Sequence, residues 1–285
     1  NSMDKKIIAS RMLHSKFFMV GAITALFIIL LSVFSPVIVQ YDPITNNLPE
    51  RLLAPEYFAR GLQGHVFGTD EAGRDIFSRL LRGSRYSLTI AGIVVLVAAF
   101  IGTVLGAISG YFGGVVDAVI MRACDIMMAI PNLVLAIAVM AILGPNIFNL
   151  VIVLIITSWV QYCKVTRNNV MVVKNIEFIK ASQVLGASKA HIMFTQIFPN
   201  VTTQLIILIS QQLGWTILTE ASLSFLSLGV QPPTPSWGNM IADGRNFLIT
   251  NPWLVFAPGI ALMVTVLAFN FLGDGLRDVL DPKRI

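Results

Sequence analysis

Lys180-Ala-Ser-Gln-Val-Leu-Gly186-Ala-Ser-Lys-Ala-His-Ile-Met-Phe-Thr-Gln-Ile-Phe-Pro199 lies in a polar, lysine-containing stretch, residues 164–199, of a chain that is otherwise nearly all apolar. Of the 285 residues, 55% are hydrophobic and 12% are charged. A soluble domain typically carries about 25% charged residues. The composition therefore predicts an all-α, polytopic membrane protein in which this stretch is an exposed connection between spans.

Six apolar segments are long enough to cross a bilayer, which requires about 20 apolar residues. Two of them come from the run 126–163, because Gly144-Pro145-Asn146 is a strong turn signal at its middle. The others are 17–39, 86–116, 200–227 and 252–273. We therefore expect an amino-terminal segment 1–16, a first transmembrane helix 17–39, a loop 40–85 with an interfacial helix, and a core 86–285 of five transmembrane helices that includes a helical hairpin 166–199.

The distribution of lysine and arginine predicts the orientation. Basic residues concentrate in the amino-terminal segment, in residues 164–199 and at Lys283-Arg284, and six spans place all three on one side. That side is predicted to be cytoplasmic, with both termini there. The loop 40–85 also carries six arginines, but six acidic residues accompany them. The net charge of +5 thus indicates membrane orientation rather than nucleic-acid binding.

The polar stretch itself predicts two helices joined by a tight turn. Residues 174–185 have a helix-compatible composition, and Gly186 suits the left-handed position that ends a helix. Ser188 is a good N-cap for a second helix, and Pro199 either ends that helix or opens the next span. That helix would carry one apolar face, formed by Ala190, Met193, Phe194 and Ile197. The face packs either on the membrane and the protein's own spans or in a groove of a partner.

This hairpin resembles the cytoplasmic loop of the integral subunits of binding-protein-dependent ABC importers. That loop has a Glu-Ala-Ala triplet, a later Gly and an Ile-x-Pro or Leu-Pro ending; Ala181, Gly186, Ile197 and Pro199 match it, whereas Lys180 replaces the Glu. Ser182 replaces the second Ala. The resemblance implies that an ATPase docks on the hairpin through Lys180, Ala181, Ser182, Gly186, Ala187, Ser188, Ala190, Met193, Phe194, Ile197 and Pro199. Apolar insertion of the second helix is favoured over a salt bridge from the triplet.

Three further stretches, 67–78, 231–238 and 269–282, resemble permease subunits of dipeptide, oligopeptide and nickel transporters. The resemblance implies a type I (MetI-like) permease core that forms the pore of an ATP-driven importer in the bacterial inner membrane. Dipeptides or short oligopeptides are the expected substrates; nickel, metal–metallophore complexes and glutathione are the alternatives. The implied partners are a second permease subunit, two ATPase subunits that bind ATP and Mg, and an extracytoplasmic binding protein. No cofactor or metal site is expected on this chain.

Two groups of residues are further candidates for function. The extracytoplasmic motif comprises Gly68, Thr69, Asp70, Gly73, Arg74 and Asp75. Thr69 is predicted to cap a helix whose first turn holds Asp70, and the interfacial helix after it either has a structural role or contacts the binding protein. In the fifth span, Glu220 either faces the translocation path or is hydrogen-bonded to a neighbouring helix. Gln211 and Gln212 are weaker candidates for lining the path.

Two other classes of protein fit the sequence poorly. An intramembrane enzyme needs a nucleophile and a base within the spans, but His14, His65 and His191 all lie outside them and no Gly-x-Ser-x-Gly elbow occurs. A stand-alone secondary transporter usually shows two repeated halves, which we do not find. The sequence also has no Gly-x-x-x-x-Gly-Lys-Ser/Thr phosphate loop, so ATP hydrolysis is expected on other chains.

Overall fold

The computed structural model of the protein describes residues 10–56 and 64–280, which are built from helices. The basic residues predicted to orient the chain at positions 1–9 and at Lys283 and Arg284 lie outside these ranges. The helices are α1 (Lys16–Ile38), α2 (Ile76–Phe112), α3 (Gly114–Met128), α4 (Asn132–Leu143), α5 (Ile147–Lys174), α6 (Glu177–Val184), α7 (Lys189–Phe225), α8 (Trp237–Gly244) and α9 (Trp253–Leu280). The described residues contain no β-strand, which confirms the all-α prediction.

Five helices are long and apolar enough to cross a membrane, namely α1, α2, α5, α7 and α9. The predicted third span is not a straight helix, because α3 and α4 bend by 83° at a short break. The break ends at Pro131, which has no backbone N–H and cannot continue a helix without a clash. Counted as one broken span, the pair gives the six spans expected.

Several helices extend beyond the spans predicted from hydropathy. The helix α2 begins at Ile76, ten residues before the predicted start, so the expected interfacial helix is the first part of this span. The carboxylate of Asp75 caps it by accepting from the backbone N–H of Ser78 at 2.7 Å. The predicted cap at Thr69 is therefore wrong; Thr69 instead pairs with Asp75 in an isolated antiparallel bridge that closes a turn.

The most extensive helix contact joins α2 to α5 through glycines spaced four residues apart. A Cβ at Gly102 would lie 2.4 Å from the carbonyl oxygen of Trp159, and one at Gly106 would lie 2.3 Å from that of Cys163. Gly110 approaches α5 in the same way. Small residues at this spacing let backbones pack closely in membranes, where the hydrophobic effect does not drive helices together.

The first span packs against the last by the same means. A Cβ at Gly21 on α1 would lie 2.4 Å from the backbone nitrogen of Leu272, and one at Gly275 on α9 would lie 2.4 Å from the Cα of Phe18. The helix α9 also packs on α7, and α7 packs on α2. The five long helices therefore form one bundle, with the short helix α6 at one end, the hairpin end, and α8 at the other, the loop end.

We predict that Gly102→Ala destabilises the purified protein by about 1–3 kcal/mol, because the new methyl group overlaps backbone atoms of α5. Gly92→Ala is the matched control on the same helix, since nothing lies within 4 Å of a Cβ there. Thermal unfolding in detergent measures both variants. Equal melting temperatures for the two would contradict the close packing of α2 on α5.

Candidate functional site

The hairpin at the end of the bundle has the turn geometry that its sequence predicts. Gly186 has a φ of +84°, in the left-handed region. The hydroxyl of Ser188 accepts from the backbone N–H of His191 at 3.2 Å and caps the second helix. The two helices are also joined by side chains, because the amide of Gln196 donates to the hydroxyl of Ser182 at 3.0 Å. Ser182, which departs from the family triplet, thus stabilises the hairpin.

The second helix of the hairpin is not a separate element, and its predicted apolar face is divided. Residues Ile192–Ile197 form a π-helix, in which the N–H of Phe198 donates to the carbonyl of Met193 five residues before it. The wider turn changes the helical period, so Ile197 is fully buried and Met193 half-buried, whereas Ala190 and Phe194 remain exposed. The prediction that all four side chains share one exposed face is therefore wrong for Ile197, which packs inside the bundle, whereas insertion of Ala190, Met193 and Phe194 into a partner stays a prediction.

Pro199 does not end the hairpin, because the helical run Lys189–Phe225 continues through it. It lies instead in the first turn of Phe198–Phe225, which matches the alternative that it opens the next span. A proline inside a regular α-helix removes a hydrogen bond and clashes with the carbonyl four residues earlier. The π-helical turn directly before Pro199 changes the local hydrogen-bond register to five residues. As a result, the hairpin and the following span are one continuous helix.

Large apolar side chains remain exposed on the hairpin; we call Phe178, Val184, Leu185 and Phe194 the hairpin patch. Phe194 is 72% exposed and Val184 is 88% exposed. The opposite side of the hairpin is anchored, because Ile179 is fully buried in a cluster with Ile192 and Ile197. The hairpin is thus fixed on the bundle while it presents apolar surface outward, a combination typical of interaction sites.

A cavity of about 590 Å³ opens beside α7 at the same end of the bundle. Its lining combines one face of α7 with residues of α5 and α9: Val165, Pro199, Asn200, Thr203, Gln204, Ile207, Leu208, Gln211, Arg277 and Leu280. The amide of Gln211 donates to the carboxylate of Asp274 at 3.1 Å. Gln212 instead bonds across to Gln161 on α5 and is not part of the lining.

Glu220, predicted either to face the translocation path or to bond a neighbouring helix, lies inside the bundle between α2 and α7. Its side chain is fully buried, and its two carboxylate oxygens accept from the hydroxyls of Ser87 on α2 and Ser224 on α7, each at 2.8 Å. The alternative, a carboxyl group hydrogen-bonded to a neighbouring helix, matches this geometry. The hydrogen bond from Ser87 could not be predicted from the sequence, because 133 residues separate Ser87 from Glu220.

The extracytoplasmic motif forms a compact clamp at the loop end of the bundle. Gly68 and Gly73 have φ values of +74° and +75°, and a Cβ at Gly73 would lie 1.7 Å from the carbonyl oxygen of Asn47. Thr69 is buried, accepts from the N–H of Leu53 at 2.8 Å and donates to the carbonyl of Glu50. These contacts fix the preceding loop against the start of α2.

Buried charges complete the clamp. Asp70 pairs with Arg74 at 2.7 Å and with Arg79 at 3.4 Å, and Arg74 reaches Asp243 of α8 at 4.0 Å. Burial raises the pKa of Asp243, and the nearby guanidinium groups of Arg79 and Arg74 oppose that increase. The ring of His65 lies between carboxylates, with Asp75 at 3.0 Å on one side. Asp70, Arg74 and Asp75 therefore hold the fold together at this end.

Ion pairs also tie α5 to α3 at the hairpin end. Arg167 donates to Asp117 at 2.6 Å, and Lys164 pairs with Asp125 at 3.0 Å. Asp125 thus pairs with α5, although Arg122 lies one helical turn away on α3. The bent pair of α3 and α4 is thus connected, through α3, to α5, the helix that leads into the hairpin.

The fold defines the chain as a polytopic helical membrane protein. A chain of the MetNI methionine ABC transporter, from a study of its inward-facing conformations, has the same fold, with a TM-score of 0.58, 17% identity and coverage of 72% of this chain and 98% of that chain.

Residues 102–285 match the family model described as the binding-protein-dependent transport system inner membrane component, and the chain belongs to that family. Residues 6–55 match the N-terminal TM domain of oligopeptide transport permease C.

Individual members of the family are similar to this chain along most of their own length. The dipeptide transport system permease protein DppC of Haemophilus influenzae is 42% identical over 93% of this chain and 90% of its own. The glutathione transport system permease protein GsiD of Pectobacterium atrosepticum is 44% identical over 77% of this chain and 73% of its own.

We predict that Glu220→Leu lowers the stability of the protein by about 1–2 kcal/mol, because the hydroxyls of Ser87 and Ser224 lose their shared acceptor. Glu220→Gln keeps the shape and most of the hydrogen bonding and should unfold close to the native temperature. Thr219→Val, at the neighbouring half-buried position, is the control. Native stability of Glu220→Leu combined with altered transport would show that Glu220 faces the path after all.

Proposed function

We propose that this chain is one of two permease subunits of an importer that carries dipeptides or short oligopeptides across the bacterial cytoplasmic membrane. The similarity to a dipeptide permease along nearly the whole chain supports this substrate class. The match of residues 6–55 to the oligopeptide permease model supports it independently. A glutathione permease of comparable identity makes glutathione, itself a short peptide, the second candidate.

Transport is powered by two separate ATPase subunits, which bind ATP and Mg and dock on the hairpin. The observation that carries this proposal is the exposed hairpin patch on an anchored hairpin. Docking there acts directly on α7, because the second hairpin helix and the span are one helical run, Lys189–Phe225. ATP-driven closure of the ATPases would therefore tilt α7 and change the cavity that this helix lines.

The hairpin end is then cytoplasmic and the clamp at the loop end is extracytoplasmic. Basic residues at positions 164, 167, 174, 180 and 189 support this orientation. With α3 and α4 counted as one broken span, Lys16 and Leu280, the outer ends of α1 and α9, also lie on the cytoplasmic side. The rigid clamp gives an extracytoplasmic binding protein a fixed surface on which to deliver the substrate.

We predict that Gly186→Val leaves membrane insertion intact but uncouples ATP hydrolysis from peptide uptake. A β-branched residue at a φ of +84° is strained, whereas no neighbour lies within 4 Å of a Cβ there, so the effect arises from the backbone turn alone. Gly186→Asn is the matched control, because asparagine tolerates the left-handed conformation.

Uptake and ATPase activity of the complete transporter in proteoliposomes measure this coupling. The predicted result is lost uptake with ATP hydrolysis no longer stimulated by the loaded binding protein. Normal uptake in the valine variant would overturn the docking role of the hairpin.

We predict that Phe194→Ala weakens retention of the ATPase subunits by about tenfold, since truncating a buried aromatic anchor at an interface commonly costs more than about 1.4 kcal/mol. Phe100→Ala is the control: Phe100 is 71% exposed, almost as much as Phe194 at 72%, but lies in the middle of α2. Co-purification of the ATPase with each variant provides the measurement. Equal retention for both variants would exclude Phe194 from the interface.

A further inference from the structure

The cavity beside α7 has a polar wall inside a membrane-spanning helix. Positions 200, 203, 204, 207 and 211 recur at intervals of three and four residues and therefore share one helical face. Four of these five residues are Asn, Thr, Gln and Gln. From Asn200 to Gln211 the helix rises about 16 Å, roughly half the thickness of the hydrocarbon core. Side-chain amides are costly in hydrocarbon, so this face requires water or a polar ligand.

The described residues use only part of the hydrogen-bonding capacity of this wall. In residues 10–56 and 64–280, the side chains of Thr203 and Gln204 have no hydrogen-bond partner. Gln211 donates to Asp274 and retains its carbonyl oxygen as an acceptor. Asn200 donates to the carbonyl of Gln196.

The opposite wall adds a positive charge at the cytoplasmic end. Arg277 on α9 lines the cavity with Leu280, and Val165 contributes from α5. Within the described part of the chain, no carboxylate forms an ion pair with Arg277. Pro199, next to the π-helical turn, lies at the rim, so the hairpin helix leads directly into the wall.

We infer that this cavity is the cytoplasmic half of the translocation path and that it binds the main chain of the passing peptide. Carboxamides both donate and accept, as do the peptide N–H and C=O groups, so Asn200, Gln204 and Gln211 offer exchangeable hydrogen bonds to any peptide. Arg277 attracts the terminal carboxylate towards the cytoplasm. Such a path accepts peptides with varied side chains, because it binds only the backbone groups and the terminal carboxylate that all peptides have. The inference rests on the proposed function and names the residues that contact its substrate.

Accessibility of introduced cysteines tests whether the wall faces water. In inside-out membrane vesicles that contain the complete transporter, Gln204→Cys is treated with a membrane-impermeant, cationic methanethiosulfonate. Ile206→Cys is the matched control, since Ile206 is 43% exposed but is not part of the cavity lining. The native Cys124 and Cys163 are fully buried and give little background.

We expect labelling of Gln204→Cys at least about tenfold faster than labelling of Ile206→Cys, because only thiolates in contact with water react readily. Dipeptide and its binding protein, enclosed in the vesicle lumen, should slow the reaction at Gln204→Cys when ATP is added outside. Equal labelling rates at the two positions, or labelling unaffected by transported dipeptide, would overturn the inference.

Uptake of a radiolabelled dipeptide by the same complex provides the second measurement. Gln204→Leu and Arg277→Gln should each lower the maximal rate about three- to tenfold, with KM little changed, and Arg277→Lys should restore most of the loss. Failure of the native complex to take up any dipeptide would overturn the proposed function together with this inference. Native uptake with undiminished rates in Gln204→Leu and Arg277→Gln would overturn this inference alone.

Discussion

Close contact between the backbones of α2 and α5 is the constraint on which the rest of the structure depends. In lipid, apolar surface does not hold helices together, so packing must come from close approach, and Gly102, Gly106 and Gly110 provide it. The contact fixes α5 from the middle of the bundle to its hairpin end. There Arg167 and Lys164 bind the bent helix α3, and the chain leaves α5 at Lys174 to enter the hairpin.

A second long helix connects the exposed hairpin to the interior of the bundle. Phe194 projects outward from the first turns of α7, while Gln204 and Gln211, further along the same helix, line the cavity. The π-helical segment Ile192–Ile197 lets the helix pass Pro199 without ending. A force on the hairpin is thus applied to the same element that shapes the proposed path, and no intervening loop absorbs it.

Local patterns in the sequence predicted much of this architecture. Gly186 and Ser188 indicated the hairpin because left-handed turns and helix caps depend on single residues, and the apolar runs indicated the spans. The start of α2 was not predicted, because hydropathy does not show where helices extend into polar surroundings. Pro131 indicates a kink before α4, but a proline does not show that the bend reaches 83°. The partners of Glu220, Asp70 and Asp125 come together only in the folded protein, so the spacing of neighbouring residues in the sequence does not predict them.

We expect ATPase docking to move α7 as one unit relative to α5. Spin labels at Lys189 and Ile206 on α7, and at Ile156 on α5, report this movement by double electron–electron resonance in the complete transporter. On ATP binding, the distance from position 206 to position 156 should change while the distance from 189 to 206 stays constant. A constant distance from 206 to 156, with a changed distance from 189 to 206, would show that the π-helical segment absorbs the movement and would contradict the account.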